Sequence, residues 1–265
     1  MILHSRYLSW AASGENRVVD DEARLLAEGG HEVDRWEVPF STSGPGLIQS
    51  GVGAIWSSTA VAEVRRRVRS FRPDVVHFHN LFPKLSPAAV RAAEDEGVAV
   101  TMTLHNYRLM CLPGTLRRAG APCELCVGKV PWRGVAYRCL RDSALGSGAL
   151  AASLVVHRAL DTFSRITLCL AVSEFVASKH VEAGLPAEQV RVKRNFSWEM
   201  PRRRAPGEFF LYLGRLSPEK GVGTLLEACR RSAFPLVIAG DGQEADALRA
   251  AAPEGVDFRG AIPPS

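Results

Sequence analysis

The chain has 265 residues, 46% of them hydrophobic and 23% charged, and it carries a formal net charge of +5. This composition excludes a wholly disordered protein, and the length is enough for two domains or one large domain. The basic balance mildly favours anionic partners, such as phosphates, nucleic acid or an anionic membrane surface.

Short β-rich runs alternate with helical stretches along the first 200 residues. The pattern begins with a strand at Met1–His4, a loop containing Gly14, a helix over Asn16–Glu28 and a strand over His31–Val38. The apolar residues expected on the inward side of this helix are Val18, Val19, Ala23, Leu25 and Leu26. The later predicted elements are a helix ending in EVRRRVRSF, a strand at Val75–Phe78, a helix from Ser86 to about Glu96, a strand ending near Leu104, a helix over Ser143–Phe163, a strand over Ile166–Ser173, the helix EFVASKHVEAG and the short strand QVRVKRN.

The stretch PRRRAPGE, which begins at Pro201, has the proline, glycine and charge content of a linker. After it the alternation restarts with the strand FFLYLG, a helix over Pro218–Arg231, the strand PLVIAG, a helix over Glu244–Ala252 and the strand VDFRGA. Repeated β-α-β units predict parallel sheets covered by helices. The sequence therefore predicts an α/β protein with a first domain over 1–200, a linker over 201–207 and a second domain over 208–265. A ligand cleft is expected at the carboxyl ends of the strands.

Two cations stand where the helix after FFLYLG is expected to begin. Ser217 is a good N-cap and Pro218 suits the first helical position, but Lys220 stands where a capping box would have Glu or Gln. A helix N-terminus already carries partial positive charge, so Lys220 and Arg215 work against it. A phosphate or diphosphate would accept from the free amides and pair with both cations. The alternative is that both side chains simply point into solvent.

Several stretches of this chain occur in an order that is itself informative. YLGRLSPEKGVGTLLEA resembles the start of the second domain in the retaining glycosyltransferases of family 4, which have the GT-B fold of two Rossmann-like domains facing a cleft. Further segments similar to that family are, in order, SGENRVVDDEARLLAEGGHEV, RPDVVHFHN, VAVTMTLHN, AVSEFVASKHVEAGLPAEQVRVKRN and VIAGDGQEADALRA. The resemblance covers nearly the whole chain and implies a GT-B-like α/β fold.

The resemblance also implies residue roles. Arg215, Lys220 and Gly14 would bind the diphosphate of a nucleotide-sugar donor, and Glu15 would lie in the cleft beside Gly14. His105, at the end of the fourth strand, would lie near the transferring sugar as the catalytic candidate, and Asn195 would end the segment that closes the first domain. The implied reaction moves the sugar to a hydroxyl acceptor (a glycan, a lipid or a small molecule) with retention and without a divalent metal, because cations and helix ends neutralise the leaving diphosphate.

The family's second domain normally continues well past the position of Ser265. We therefore expect the C-terminal domain to be incomplete and the chain to be a truncated fragment with impaired activity. Two alternatives are a non-catalytic remnant or binding module of the same fold, and another GT-B-like enzyme such as a nucleotide-sugar epimerase. A partial sheet would also leave an exposed strand edge.

Other charged and titratable residues have less specific patterns. His79 ends a strand and could reach the cleft or serve the loop, as could His4, whereas His77 is expected to be a hydrogen-bonded core residue. The runs at Arg65–Arg69 and Arg202–Arg204 could contact an anionic bilayer. We favour a solvated helix face and a charged linker instead, and no nucleic-acid motif is visible.

Four of the six cysteines lie in a long insertion, predicted to be irregular, over 105–141. Cys111, Cys123, Cys126 and Cys139 supply enough thiolates for a tetrahedral structural Zn²⁺ site. Free buried thiols or one disulfide are the alternatives, and Cys169 and Cys229 fit apolar core patterns.

No secretory signal follows Met1, and no apolar stretch approaches the roughly 20 residues of a membrane-spanning helix. The sequence thus predicts a cytoplasmic protein or one peripheral at the inner face of the membrane, where thiols stay reduced.

Overall fold

The computed structural model describes residues 1–7, 14–40, 53–198, 207–232 and 234–262. The described residues form two compact units, the first ending at Ser197 and the second beginning at Trp198. Except for Gly53 and Gly207, the predicted loop Ser41–Gly53 and the predicted linker over 201–207 lie outside the described residues.

The first unit is built on a parallel sheet. Its strands, with a small hairpin counted in chain order, are β1 Ile2–Tyr7, β2 Arg35–Phe40, β3 Val75–Phe78, β4 Ala99–Leu104, β5 Arg117–Arg118, β6 Ala121–Pro122, β7 Leu168–Ala171 and β8 Val190–Val192. The six-stranded order is β2-β1-β3-β4-β7-β8, and every pair in it is parallel. All six carboxyl ends therefore lie at one edge of the sheet.

Helices connect these strands. They are α1 Gly14–Glu28, α2 Ser58–Phe71, α3 Ala88–Glu94, α4 Trp132–Ala136, α5 Ala144–Ala159 and α6 Glu174–Glu182, followed by a 3-10 turn at Ala187–Gln189. Serine caps begin three of them: the hydroxyls of Ser57, Ser143 and Ser173 accept hydrogen bonds from first-turn amides. Such caps are worth about 1 kcal/mol each, so the sequence specifies these starts locally.

The core of the first unit lies where the sheet meets its helices. Leu3, Val76, Phe78, Val100 and Leu154 are completely or almost completely buried in one continuous cluster. Burying side chains of this size stabilises a fold by roughly 1.5–3 kcal/mol each. No helix in the described part of the chain is both long enough and apolar enough to cross a membrane.

The insertion over 105–141 is more regular than predicted, because it contains the β5–β6 hairpin and the helix α4. Gly120, at φ +79°, supports the tight reversal between the two hairpin strands. Its own buried cluster holds only Met110, Cys111, Leu116 and Val127.

The second unit is a three-stranded parallel sheet with two helices. Its elements are β9 Phe210–Leu213, a 3-10 turn at Pro218–Lys220, α7 Val222–Ser232, β10 Leu236–Ala239, α8 Ala245–Ala251 and β11 Val256–Gly260. The order is β11-β10-β9, so β9 is an edge strand of this sheet. Its side chains Phe210, Leu211 and Leu213 are all more than half exposed.

The predicted start of helix α7 was wrong by four residues. Pro218–Lys220 form a 3-10 turn that ends at Gly221, whose φ of +66° is left-handed and interrupts the helix before Val222. The Ser217 hydroxyl does not cap this helix; it donates to Glu219 Oε1 at 2.6 Å. The glycine allows the break because it has no Cβ to oppose that conformation.

Two glycines bring the loops after β9 and β10 into backbone contact. A Cβ on Gly242 would lie 2.2 Å from the Leu216 carbonyl oxygen, and one on Gly240 would lie 1.8 Å from the Gly214 carbonyl oxygen. In the space thus left, the Leu216 amide donates to the Asp241 carbonyl at 2.9 Å. The loop after β10 therefore holds the turn that carries Arg215 in place.

We expect Gly242→Ala to lower the free energy of unfolding of the second unit by about 2 kcal/mol or more, because the obstructing atoms are backbone. Gly223→Ala is the matched control. Gly223 is helical and exposed, with open space at its Cβ position, so alanine should stabilise by about 0.5–1 kcal/mol. Urea unfolding of both variants measures the difference, and equal stabilities would contradict the close-approach interpretation.

Candidate functional site

Polar side chains gather at the carboxyl edge of the first unit's sheet. Tyr7 ends β1, His79 and Asn80 directly follow β3, and His105 and Asn106 directly follow β4. Because β1, β3 and β4 are parallel neighbours, these residues share one edge. This is the edge where open α/β sheets bind ligands.

His79 is the centre of a buried group. Its Nδ1 lies 2.9 Å from Nε2 of His105, and the two rings stack with centroids 5.2 Å apart. On its other side, Nε2 lies 3.4 Å from Glu22 Oε2, within ion-pair distance but outside hydrogen-bond geometry. The His79 side chain has 0% exposure. Glu22, His79 and His105 therefore form a connected row.

Two further histidines lie against this row. His77 has its ring nitrogens 2.6 Å from Thr101 Oγ1 and 2.9 Å from Thr103 Oγ1, and its side chain is 14% exposed, close to the hydrogen-bonded core residue that was predicted. His4 is fully buried, with Nε2 2.9 Å from Asn16 Oδ1. We call Glu22, His4, His77, His79 and His105 the His–Glu cluster.

Glu22 keeps its charge through long-range partners. The Lys193 ammonium donates to Glu22 Oε1 at 2.5 Å, although the two residues are 171 positions apart. Burial alone would raise the pKa of this carboxyl, but His79 and Lys193 outweigh burial and lower the pKa to about 2. The Glu22 carboxylate, which is only 10% exposed, thus stays ionised next to His79.

The nearby carboxylate favours a proton on the His79 nitrogen that faces it. We assign the His79 proton to Nε2, which faces Glu22, so that Nδ1 accepts from His105 Nε2–H. Burial, with His79 nearby, lowers the pKa of His105 to about 3, so its ring is neutral at pH 7. In this tautomer His105 Nδ1 is an acceptor, and it has no hydrogen bond within the described residues. That nitrogen can accept a hydrogen bond from a sugar or acceptor hydroxyl.

The donor atoms of Glu22, His77 and His79 all lie within 4.8 Å of one another, which is close enough for a metal ion. Their existing partners serve them without one. Lys193 occupies one Glu22 oxygen, and threonine hydroxyls occupy both His77 nitrogens. A cation would have to displace these groups and tolerate the nearby ammonium.

Glu15 joins the start of α1 to the loops after β3 and β4. Its Oε1 accepts from Asn106 Nδ2 at 2.8 Å, and its Oε2 accepts from Asn80 Nδ2 at 3.4 Å. Gly14, the first residue of α1, is exposed and has open space at its Cβ position. Glu15 therefore lies at the carboxyl edge of the first unit's sheet, directly after Gly14.

In the second unit, Arg215 and Lys220 follow β9 as predicted and both are exposed. Arg215 is not free: it donates to Glu219 Oε1 at 3.0 Å, and that carboxylate also accepts from Ser217. Lys220 has no ion pair within the described residues. An exposed pair such as Arg215–Glu219 is worth only about 0–1 kcal/mol, so a diphosphate could displace it at small cost.

The structure does not bring every predicted site residue to these groups. Asn195 is exposed, and it makes no hydrogen bond within the described residues. Arg65, Arg66, Arg67 and Arg69 all pair with carboxylates, as expected of a solvated face, and Arg202–Arg204 lie outside the described residues. The four insertion cysteines line one small cavity, and Cys169 and Cys229 are buried as predicted.

Glu22, Lys193 and Asn106 were not predicted as site residues from the sequence. The buried side of α1 carries Asn16 and Glu22 beside Val19 and Ala23, whereas Leu25 and Leu26, which were predicted to face inward, are 45% and 40% exposed. The sequence did contain a signal for buried polar residues in α1, because Asn16, Val19 and Glu22 are spaced three residues apart and therefore lie on one helix face. Two polar residues on the apolar stripe of a helix point to a buried polar partner.

Comparisons with known proteins agree with this architecture. The profile of the glycosyl transferase 4-like domain matches residues 13–195, more than half of the chain. No curated protein matches the chain.

Among solved structures, the chain is similar to the lipopolysaccharide outer core galactosyltransferase WaaB, with a TM-score of 0.52 and 14% identity over 99% of this chain and 68% of that one. It is also similar to HepE from Anabaena in complex with UDP, with a TM-score of 0.55 and 16% identity over 98% of this chain and 69% of that one. A third similar structure is AviGT4, a glycosyltransferase involved in avilamycin A biosynthesis. Its TM-score is 0.51, with 16% identity over 100% of this chain and 65% of that one. These likenesses confirm the predicted GT-B-like α/β fold.

We expect stability to fall on acidification from pH 7 to pH 5. Burial lowers the pKa of His4 to about 4 and that of His77 to about 3. Below about pH 6.5 both imidazoles are therefore protonated in the unfolded state but remain neutral in the folded state. Each such histidine contributes a slope of up to about 1.4 kcal/mol per pH unit. The contribution is complete above the unfolded pKa and is lost as the pH falls towards the folded pKa. The Glu22 carboxyl does not contribute to this slope, because even in the unfolded state it takes up a proton only below about pH 4.5.

Urea unfolding at several pH values measures the slope in the parent and in His77→Gln, which should be shallower. His31→Gln, an exposed histidine after α1, should keep the parent slope. Identical slopes in all three proteins would contradict a buried neutral His77.

Proposed function

Because the chain belongs to the glycosyl transferase 4-like family, we propose that it transfers a sugar from a nucleotide-diphosphate-sugar donor to a hydroxyl acceptor, with retention of the anomeric configuration. The observation that carries the proposal is the convergence of His105, Glu15 and Asn106 at the carboxyl edge of the first unit's sheet. Neutral imidazole, carboxylate and amide groups are the types that bind and orient sugar hydroxyls.

In the proposed reaction, the bond from the anomeric carbon to the diphosphate oxygen breaks, and the acceptor oxygen bonds to the same carbon. The acceptor's hydroxyl proton passes to the released diphosphate, which balances the reaction. Negative charge grows on the diphosphate as its bond breaks, so cations placed there lower the barrier. We assign that role to Arg215 and Lys220, which would need no divalent metal.

The first unit supplies the proposed sugar contacts. His105 Nδ1 would accept from a hydroxyl of the transferring sugar, while Glu22 acts through His79 to hold the required tautomer. Glu22 is therefore a positioning residue, since its carboxylate contacts His79 and Lys193.

UDP-sugars are the first donors to test, because structures of HepE contain UDP and UDP-glucose. A lipid-linked or polysaccharide acceptor and contact with an anionic membrane remain predictions. Incubation of the full chain with UDP-sugars and glycoside or lipid acceptors, followed by mass spectrometry and NMR of the anomeric proton, tests the proposal. Transfer with retention supports it, inversion contradicts the retaining assignment, and binding without turnover favours the binding-module alternative.

We expect Arg215→Ala and Lys220→Ala each to weaken UDP binding by more than tenfold, a loss of at least about 1.4 kcal/mol. Each variant removes a charge that would pair with the diphosphate. Arg231→Ala is the control, because Arg231 is also exposed but lies in the last turn of α7. Isothermal calorimetry gives the affinities, and a parent-like affinity in both variants would reject the diphosphate assignment.

We expect His105→Ala to lower kcat for sugar transfer at least tenfold while UDP affinity stays at the parent value. Glu22→Gln should lower kcat as well, because a neutral amide no longer fixes the His79 proton. Glu28→Gln, at the exposed end of α1, is the matched control. The ¹⁵N shifts of His105 report the tautomer directly, and an unchanged tautomer in Glu22→Gln would contradict the positioning role.

A further inference from the structure

The insertion over 105–141 gathers four cysteines from three places along the chain. Cys111 lies in the turn after Tyr107, Cys123 directly follows β6 and precedes Cys126 by three residues, and Cys139 follows α4. All four line one cavity of about 20 Å³, together with Arg118 and Arg133. A cavity of that size holds one guest no larger than a water molecule.

Backbone amides lie near the sulfur atoms of Cys111 and Cys126. Burial raises the pKa of Cys111 and Cys126, and the nearby amides of Leu116, Gly114 and Thr115 for Cys111 and of Gly134 for Cys126 oppose that rise. Gly134 permits this approach, because a Cβ at that position would lie 2.7 Å from Leu112 Cδ1 and 3.8 Å from Cys126 Sγ. Amide donors stabilise a thiolate over a thiol.

Positive charge also surrounds the sulfur atoms. Arg133 and Arg158 lie close enough to Cys126 to favour its thiolate, as Arg118 does for Cys139. Arg118 and Arg133 line the same cavity as the four thiols. Four thiolates around one Zn²⁺ carry a net negative charge, which these arginines would partly balance.

The insertion is anchored to the main core through buried Leu112. Its own buried cluster contains only four residues, and none of the six cysteines forms a disulfide. A cluster of that size adds little stability of its own, so a metal ion would add to it. The insertion begins at His105, and its second residue, Asn106, donates to Glu15. Its order therefore bears on the candidate site.

We propose that Cys111, Cys123, Cys126 and Cys139 bind one structural Zn²⁺ ion. Four thiolates in tetrahedral arrangement are a usual structural zinc site, with Zn–S distances of about 2.3 Å. In the described part of the chain these sulfur atoms do not meet the 4.8 Å mutual spacing that Glu22, His77 and His79 meet. Zinc binding would therefore draw the four side chains together and tighten the insertion.

Metal analysis of the full chain, purified without chelator, tests this site. We expect about one zinc per chain, lost in Cys126→Ser. Retention is expected in Cys229→Ala, whose cysteine is buried in α7, and in His79→Asn, which removes a donor from the His–Glu cluster. Co²⁺ substitution should give sulfur-to-cobalt charge-transfer absorption in the near ultraviolet, which histidine and carboxylate ligands do not produce.

A measurement on the unmodified chain covers the case in which Cys126→Ser fails to fold. A strong chelator should lower the unfolding temperature and expose four additional reactive thiols, and added Zn²⁺ should reverse both changes. Absence of stoichiometric metal with all thiols reactive in the native chain would overturn the site. Iron in place of zinc, a disulfide among the four cysteines, or zinc that is lost only in His79→Asn would also overturn it.

Discussion

A carboxylate remains ionised inside a protein only when cations or hydrogen-bond donors surround it, and Glu22 meets this condition through Lys193 and His79. The consequence extends along the row of rings. An anionic Glu22 orients the His79 proton, His79 orients His105, and His105 presents an acceptor nitrogen at the strand edge. Burial lowers the pKa of His105 to about 3, so its ring is neutral at pH 7. The chemistry expected of His105 thus depends on a residue two contacts away.

The second unit relies on a different constraint, the close approach of backbones. The turn with Arg215 packs against the loop after β10 only because Gly240 and Gly242 have no Cβ. The turn also holds Arg215 on Glu219. A weak, exposed ion pair of this kind keeps the guanidinium near its place without a large cost when an anionic ligand replaces the carboxylate. The two units thus prepare their polar groups in different ways, one through buried charge and the other through glycine geometry.

Most of the fold could be predicted from local patterns. Alternating β and helical periods located nearly all the elements, and serines at positions 57, 143 and 173 begin helices as capping preferences require. Predictions failed where a competing local feature prevailed. Gly221 delayed α7 by four residues, and the insertion contained a hairpin and a short helix that its irregular composition did not reveal. The inward face of α1 was misread because buried polar residues stand where only apolar residues were expected.

By itself, the sequence determined the parallel α/β architecture, the position of Arg215 and Lys220 after a strand, and the cysteine spacing of the insertion, because each depends on neighbours a few residues apart. Only the tertiary structure decided that Lys193 reaches Glu22, that His79 contacts His105 and that the four cysteines line one cavity. Those contacts join strands and loops far apart in the chain. Their partners are selected by the order of parallel strands and by burial, which no short stretch of sequence records.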